Sequence, residues 1–291
     1  EMEFTGAWWE EAGNNVEDAH SPTTQAWDKR SLDWFAAHDQ APSRPVTIHF
    51  SHPWQGAQLW KLPGLGFSNS NAYTGFQTLG RLGGEKAGLG NALLLYLGQH
   101  FPPWTLGRPT LIGEWGGHWE SNPSAILSAE LHTGVWLQAV LPYSGNTGFW
   151  WWLWADAAGR WGDYAPIAAF VAGEDRRGLA FRPYRPPVFA EKQHTAAVIG
   201  MKCETEHRYY AGLPGLSHDL TLTSQDDAGS ASIGTDQAES SWRCERWDCA
   251  TGKLAATYDL IADAHGVVKL PLGVLNPDAA FKMHRTAAPA H

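Results

Sequence analysis

Arg108-Pro-Thr-Leu-Ile-Gly-Glu-Trp-Gly-Gly117 is the stretch on which the reading of this chain turns. An apolar, partly β-branched run leads to a carboxylate at Glu114, and Gly113, Gly116 and Gly117 open the backbone around it. Such near-continuous apolar runs are the buried strands of parallel sheets. After a helix-like segment, Gly148-Phe-Trp-Trp-Trp-Leu-Trp-Ala-Asp156 reads as a neighbouring, indole-rich strand. A (β/α) barrel carries its chemistry at the C-terminal ends of its strands. A carboxylate there, paired with a second, suits cleavage of a glycosidic bond, and flat indoles suit the C–H faces of pyranose rings.

Working outward, strand and helix signals alternate up to about residue 175, the mark of parallel βαβ units. Ser21-Pro22 opens a helix with Trp27, Trp34 and Phe35 near one face, and Arg44–Phe50 is a buried strand. Phe67–Tyr73 is a shorter strand, and Leu89, Leu93, Tyr96, Leu97 and His100 repeat at helical spacing. Asn122-Pro123 starts a further helix with Ile126, Leu127, Leu131, Val135 and Trp136 on its apolar side, stopped by Ser144-Gly145. Pro166–Val171 is a short closing helix. These make four or five parallel strands where a complete barrel has eight. The expected fold class is therefore α/β: the C-terminal half of a (β/α)8 TIM barrel followed by a small antiparallel β-sandwich. Its open edges imply a missing barrel half on other polypeptide, or self-association.

The expected organisation is a partial barrel carrying catalysis over 1–181, a proline-rich connector over 182–187, and the sandwich over 188–291. In the last part the period shortens to alternation, with strands expected at Ala196–Met201, His207–Ala211, Leu220–Thr223, Trp242–Trp247, Lys253–Leu260, Val267–Leu270 and Ala279–Met283. The polar, Gly/Ser-rich Asp226–Glu239 reads as a mobile loop, and Glu174-Asp-Arg-Arg177 as a solvated charge cluster at a helix end.

Among the 291 residues, seventeen tryptophans in a chain of net charge −9 favour stacking platforms for a flat ligand. The same charge argues against a nucleic-acid partner, since no basic groove is supplied. No apolar run approaches the ~20 residues of a membrane span. Cys203, Cys244 and Cys249 cannot all pair; a Cys244–Cys249 bridge and free core thiols are both open. The chain opens on Glu1 without a signal peptide, so its start reads as processed, trimmed or truncated; the sequence leaves the location unknown, with a secreted or periplasmic one favoured.

Gly113-Glu-Trp-Gly116, the helix Glu130-Leu-His-Thr-Gly-Val-Trp136 and Gly148-Phe-Trp-Trp-Trp152 together resemble the last two βα units of clan A retaining glycoside hydrolases, the cellulase- and mannanase-like TIM barrels. The resemblance implies that Glu114 is the nucleophile at the end of the seventh strand. It implies an acid/base at the end of the fourth strand, where only Glu1-Met-Glu-Phe-Thr5 is available: Glu1, with Glu3 as second choice. The family's sixth-strand His-x-Tyr stands here as Asn71-Ala72-Tyr73, which carries Tyr73 over as a contact on the nucleophile side. Arg246–Lys253, Leu270-Pro271 and Asp278–Lys282 resemble the β-sandwich appended to some of these enzymes.

If 148–154 is a strand, alternation puts Trp150, Trp152 and Trp154 on one face and Phe149, Trp151 and Leu153 on the other. Packing accounts for both sets in a doubly covered sheet; nearest the strand's end, Trp152 is expected to floor the sugar subsite. Asn71, Trp115 and His49 complete the expected substrate-binding set. His49, His52 and His118 match no zinc spacing and read as hydrogen-bonding groups, so neither metal nor organic cofactor is expected. The leading reading is a retaining O-glycoside hydrolase acting on a poly- or oligosaccharide. The alternatives are a non-catalytic carbohydrate-binding protein or degenerate relative, and a chain whose sandwich binds polysaccharide or protein.

Overall fold

The structure is a computed structural model that describes residues 22–39, 44–50, 59–73, 106–116, 123–145, 148–189, 196–213 and 227–286. Glu1, Glu3, His52, His118, the helix expected around Leu89–His100 and the strand expected at Leu220–Thr223 lie outside these residues, as do the side chains of His49 and Tyr73.

Four strands form a parallel sheet in chain order: β1 (His49–Phe50), β2 (Ser68–Tyr73), β3 (Thr110–Gly116) and β4 (Gly148–Phe149). The order and direction are those expected from the sequence. Helix α1 (Pro22–His38) belongs to a small core in which Leu32 meets Ile48, Trp60 and Leu65. Trp34, expected near one face with Trp27 and Phe35, is exposed and stacks on His38.

Helix α2 (Ser124–Val140) is the centre of the molecule, and twelve of its seventeen residues are buried. The expected Leu127, Leu131, Val135 and Trp136 are among them, but so are Glu130, Thr133 and Gln138. A helix buried on all sides lies between layers. One side of α2 covers β3 and β4 through Ile112, Trp115 and Phe149; another meets Ile199, Tyr210 and Ala280 of the antiparallel part. The helix stops at Val140, ahead of Ser144-Gly145, with Leu141 extended in front of Pro142. An extended residue before proline is what ring sterics require.

The Trp-rich segment corrects the expectation of one long strand. Only Gly148–Phe149 is extended; after a turn, Trp152–Ala157 forms helix α3. The Trp150 N–H donates to the Trp115 carbonyl at 2.9 Å, the last rung before the chain leaves the sheet. Phe149, Trp151 and Trp154 then pack around α2 from both sides of that turn, and this burial outweighs the strand propensity of the run. A one-turn 3₁₀ segment (Arg160–Tyr164) and helix α4 (Ala165–Phe170) follow.

The remainder is antiparallel. A six-stranded sheet runs β11 (Lys253–Ile261), β10 (Ser241–Asp248), β13 (Asp278–Arg285), β8 (Glu206–Gly212), β7 (Ala197–Lys202), β5 (Arg182–Tyr184). A three-stranded sheet runs β12 (Val267–Pro271), β9 (Ser230–Gly234), β6 (Val188–Phe189). Val198, Tyr209, Trp242, Phe281 and Met283 of the first meet Ile233, Val268 and Leu270 of the second in a shared core.

Two expectations are corrected here. Arg182–Tyr184 is the edge strand of the larger sheet, not part of a connector; Pro183 is tolerated because an edge strand can spare a donor. Asp226–Glu239 contains β9, not a loop: Ala231 and Ile233 are buried while Ser230, Ser232 and Gly234 alternate with them. Small residues hid the period of two. Strands β7 and β8 are buried along nearly their whole length, because the face turned from the sandwich core is covered by α2.

Polar bonds join α2 and the segment after α4 to this part. Asp278 receives the Tyr210 hydroxyl at 2.5 Å and faces His132 Nε2 at 2.8 Å, and the Trp136 indole donates to the Cys249 carbonyl. The expected solvated cluster is the other junction. The Glu174 side chain is mostly covered, and its Oε1 lies 2.9 Å from Arg208 Nε and 2.8 Å from Lys282 Nζ, while Arg176 bonds Oε2. Burial alone would raise this carboxyl; Arg208, Lys282 and Arg176 outweigh it and hold it at about 2. Lys282 in turn lies over the rings of Phe170 and Trp247. Of the expected cluster only Asp175 and Arg177 form a solvent-facing pair. All three cysteines are free thiols, so no Cys244–Cys249 bridge exists.

Candidate active site

Glu114 owes its position to a bulge. Ile112 pairs with Ser70 and Trp115 with Ala72, so Gly113 and Glu114 together oppose the single residue Asn71. A regular strand would send residues 110, 112 and 114 to one face. The extra residue restarts the alternation, so Ile112 and Trp115 both enter the core under α2 and Glu114 is released to the other face. There the Asn71 amide Nδ2 donates to Glu114 Oε2 at 3.1 Å. Asn71 is 4% exposed, so its amide is fixed and the carboxylate it holds is oriented from below.

Gly113 leaves room for a side chain of the same neighbour strand. A Cβ there would stand 2.7 Å from Asn69 Oδ1, so the Asn69 side chain occupies the space over the glycine. Asn69 Oδ1 is buried without a hydrogen-bond partner, two residues before Asn71 on β2. The sequence reading passed over Asn69, although the period of two along Asn69-Ser-Asn71 could have grouped the two amides.

The expected indoles divide. Trp115 is corrected from ligand contact to core: it is fully buried, and a Cβ on Gly134 would lie 1.9 Å from its ring, so α2 packs backbone-close upon it. Trp154 is also structural. It packs against the core around α2, and its Nε1 donates to Ser124 Oγ at 2.8 Å. Trp150 and Trp152 are exposed, at 39% and 54%. Gly148 pairs with Glu114 in register, and Trp150 lies beside Gly116, so the turn carrying these two indoles begins at the carboxylate's end of the sheet. Two more residues are placed by backbone alone: Tyr73 pairs with Gly116, and His49 with Asn69.

A cavity of about 1310 Å³ opens elsewhere, at the beginning of β3, between Thr110, Tyr143, Tyr164, Ile167 and Phe181. Glu114 is not among its walls, and four residues of strand, ~13 Å, separate it from Thr110.

Comparison with solved structures agrees on architecture. One described as a glycoside hydrolase superposes with a TM-score of 0.52 at 11% identity, over 94% of this chain and 70% of the other. A glycoside hydrolase family 5 structure from Bacteroides vulgatus ATCC 8482 gives 0.51 at 9% identity, over 94% and 68%. No protein-family model and no curated protein sequence matches the chain. The chain therefore has a glycoside-hydrolase-like fold and spans about two thirds of the length of these neighbours.

Proposed function

We propose that this chain is a retaining O-glycoside hydrolase of the clan A kind, and that its parallel sheet is the C-terminal half of a (β/α)8 barrel. The observation that carries the reading is Glu114. In a glycoside-hydrolase-like fold, it ends a parallel strand, is oriented by the Asn71 amide, and stands at the end of the sheet where Trp150 and Trp152 are exposed.

In this reading Glu114 is ionised and attacks the anomeric carbon of a poly- or oligosaccharide. A bond forms between one Glu114 carboxylate oxygen and C1 as the glycosidic C–O bond breaks, and the departing oxygen takes a proton from a second carboxyl group. Water, deprotonated by that same group, then releases the sugar from the glycosyl–Glu114 ester with retained configuration. The Asn71 bond to Oε2 orients the carboxylate and prevents the side chain from swinging away. Glu1 is the proposed proton donor and Glu3 its alternative. Trp150, Trp152, Tyr73 and His49 are the proposed sugar contacts, and the antiparallel part from residue 188 onward braces α2 without supplying a catalytic group.

Incubation with a 2-deoxy-2-fluoroglycoside bearing an activated leaving group tests this, since the fluorine slows the second step and traps the ester. Mass spectrometry of a peptic digest should find the label on Glu114, and Glu114→Gln should lose hydrolysis by many orders of magnitude while retaining sugar binding. A label on another carboxylate, or wild-type turnover by Glu114→Gln, refutes the assignment. Sugar binding by the wild type with no turnover of any glycoside would instead favour a non-catalytic carbohydrate-binding protein.

A further inference from the structure

Beyond the turn that follows β4, Trp161 presents its indole at the surface, 47% exposed, with Trp152 and Leu153 exposed nearby in the chain. Single exposed apolar residues are ordinary. Trp161 differs because it is held without being buried. Its Nε1 donates to Asp156 Oδ1 at 2.9 Å, and its ring stacks at 29° on Tyr164, which packs against the core around α2. The segment beneath it is tied down as well: Arg160 donates to Asp163 Oδ2 through Nε at 2.9 Å and Nη2 at 2.6 Å, and its Nη1 reaches Ser128 of α2 at 3.4 Å. An indole whose rotamer is already fixed loses little freedom when a ligand arrives.

We propose that Trp161 and Asp156 form an auxiliary subsite for a pyranose unit of a β-1,4-linked chain, apart from the site proposed at Glu114. The inference rests on the carbohydrate reading of the site and adds where a longer substrate runs. The indole takes the flat C–H face of the ring. Asp156 is exposed and spends Oδ1 on the indole, leaving Oδ2 to accept from an equatorial hydroxyl. Equatorial 1,4-linkages keep successive ring faces flat, so one chain can lie on separate indoles. A carboxylate at the edge of the platform disfavours a nucleic acid, whose phosphates it would repel.

Affinity electrophoresis of the intact chain in gels containing hydroxyethylcellulose or galactomannan tests the proposal without depending on turnover. The wild type should be retarded by at least one polymer. Trp161→Ala and Asp156→Ala should each weaken that binding about tenfold, as loss of an anchoring contact does. Trp161→Phe, which keeps a ring but loses the N–H, should fall between, and it carries the test with Asp156→Asn if Trp161→Ala does not fold by circular dichroism. Hydrolysis of the polymer should show a raised KM, while kcat/KM for a small aryl glycoside stays unchanged. Wild-type retardation that survives in Trp161→Ala and Asp156→Asn, or no wild-type retardation by either polymer, overturns the subsite. The two readings fail separately: an active Glu114→Gln removes the nucleophile, and unaltered migration of the Trp161 variants removes the platform.

Discussion

Replacing Glu174 by Gln should unlatch the two halves of the molecule. Its side chain is 9% exposed and receives Arg208 and Lys282 at 2.9 and 2.8 Å on one oxygen and Arg176 on the other. Holding the carboxyl at about 2, against 4.5 when unconstrained, is worth about 3 kcal/mol at ~1.4 kcal/mol per tenfold. Removing the charge also takes from Lys282 its carboxylate and leaves Arg208 with Glu206 alone, and breaking a buried pair usually costs about 3–5 kcal/mol. We therefore expect Glu174→Gln to lower unfolding free energy at pH 7 by about 3 kcal/mol. The folded state holds the carboxyl below its unfolded value, so this stability is complete above about 4.5 and is lost as pH falls towards about 2. Urea titrations monitored by tryptophan fluorescence at pH 7, 4 and 2.5 measure the difference. It should shrink with the pH, because the wild type gives up the same contribution on protonation. A variant within about 0.5 kcal/mol of the wild type at pH 7 would refute the latch. So would a difference independent of pH.

The backbone contact between α2 and Trp115 predicts that Gly134→Ala destabilises, although alanine suits a helix better by ~1 kcal/mol. The added Cβ would fall 1.9 Å from the indole, and overpacking costs about 1–3 kcal/mol or more. A lower urea midpoint and altered near-ultraviolet dichroism are expected, and a more stable variant contradicts the packing. The thiols give a chemical test. Burial pushes Cys244 and Cys249 well up, whereas Cys203 is partly exposed, so Ellman's reagent should titrate one thiol in native protein and three in urea. Rapid native reaction of all three would show that the core opens readily.

Local pattern carried much of this molecule. The run ending at Glu114, the order of four parallel strands, α2 from its Pro123 start, and most antiparallel strands follow from periods that any short window of sequence displays. So does the choice of Glu114 as the residue to examine, because glycines flank a carboxylate there and nowhere else on an apolar strand. What windows cannot contain is the identity of the neighbour. Trp115 and Trp154 look like Trp150 and Trp152 in sequence, yet Gly134 and Ser124 of α2 claim the first pair. Glu174 looked solvated until Arg208 and Lys282, more than thirty and a hundred residues away, came to surround it. β9 looked like a loop because its small residues bury little on their own, and it became a strand by pairing with β12 and β6. Nor does the strand's own pattern announce the bulge that turns Glu114 towards Asn71, since register belongs to two strands at once. Periodicity is a property of one segment and survives in the sequence. Burial, register and charge pairing are properties of pairs of segments, and they exist only once the chain has folded.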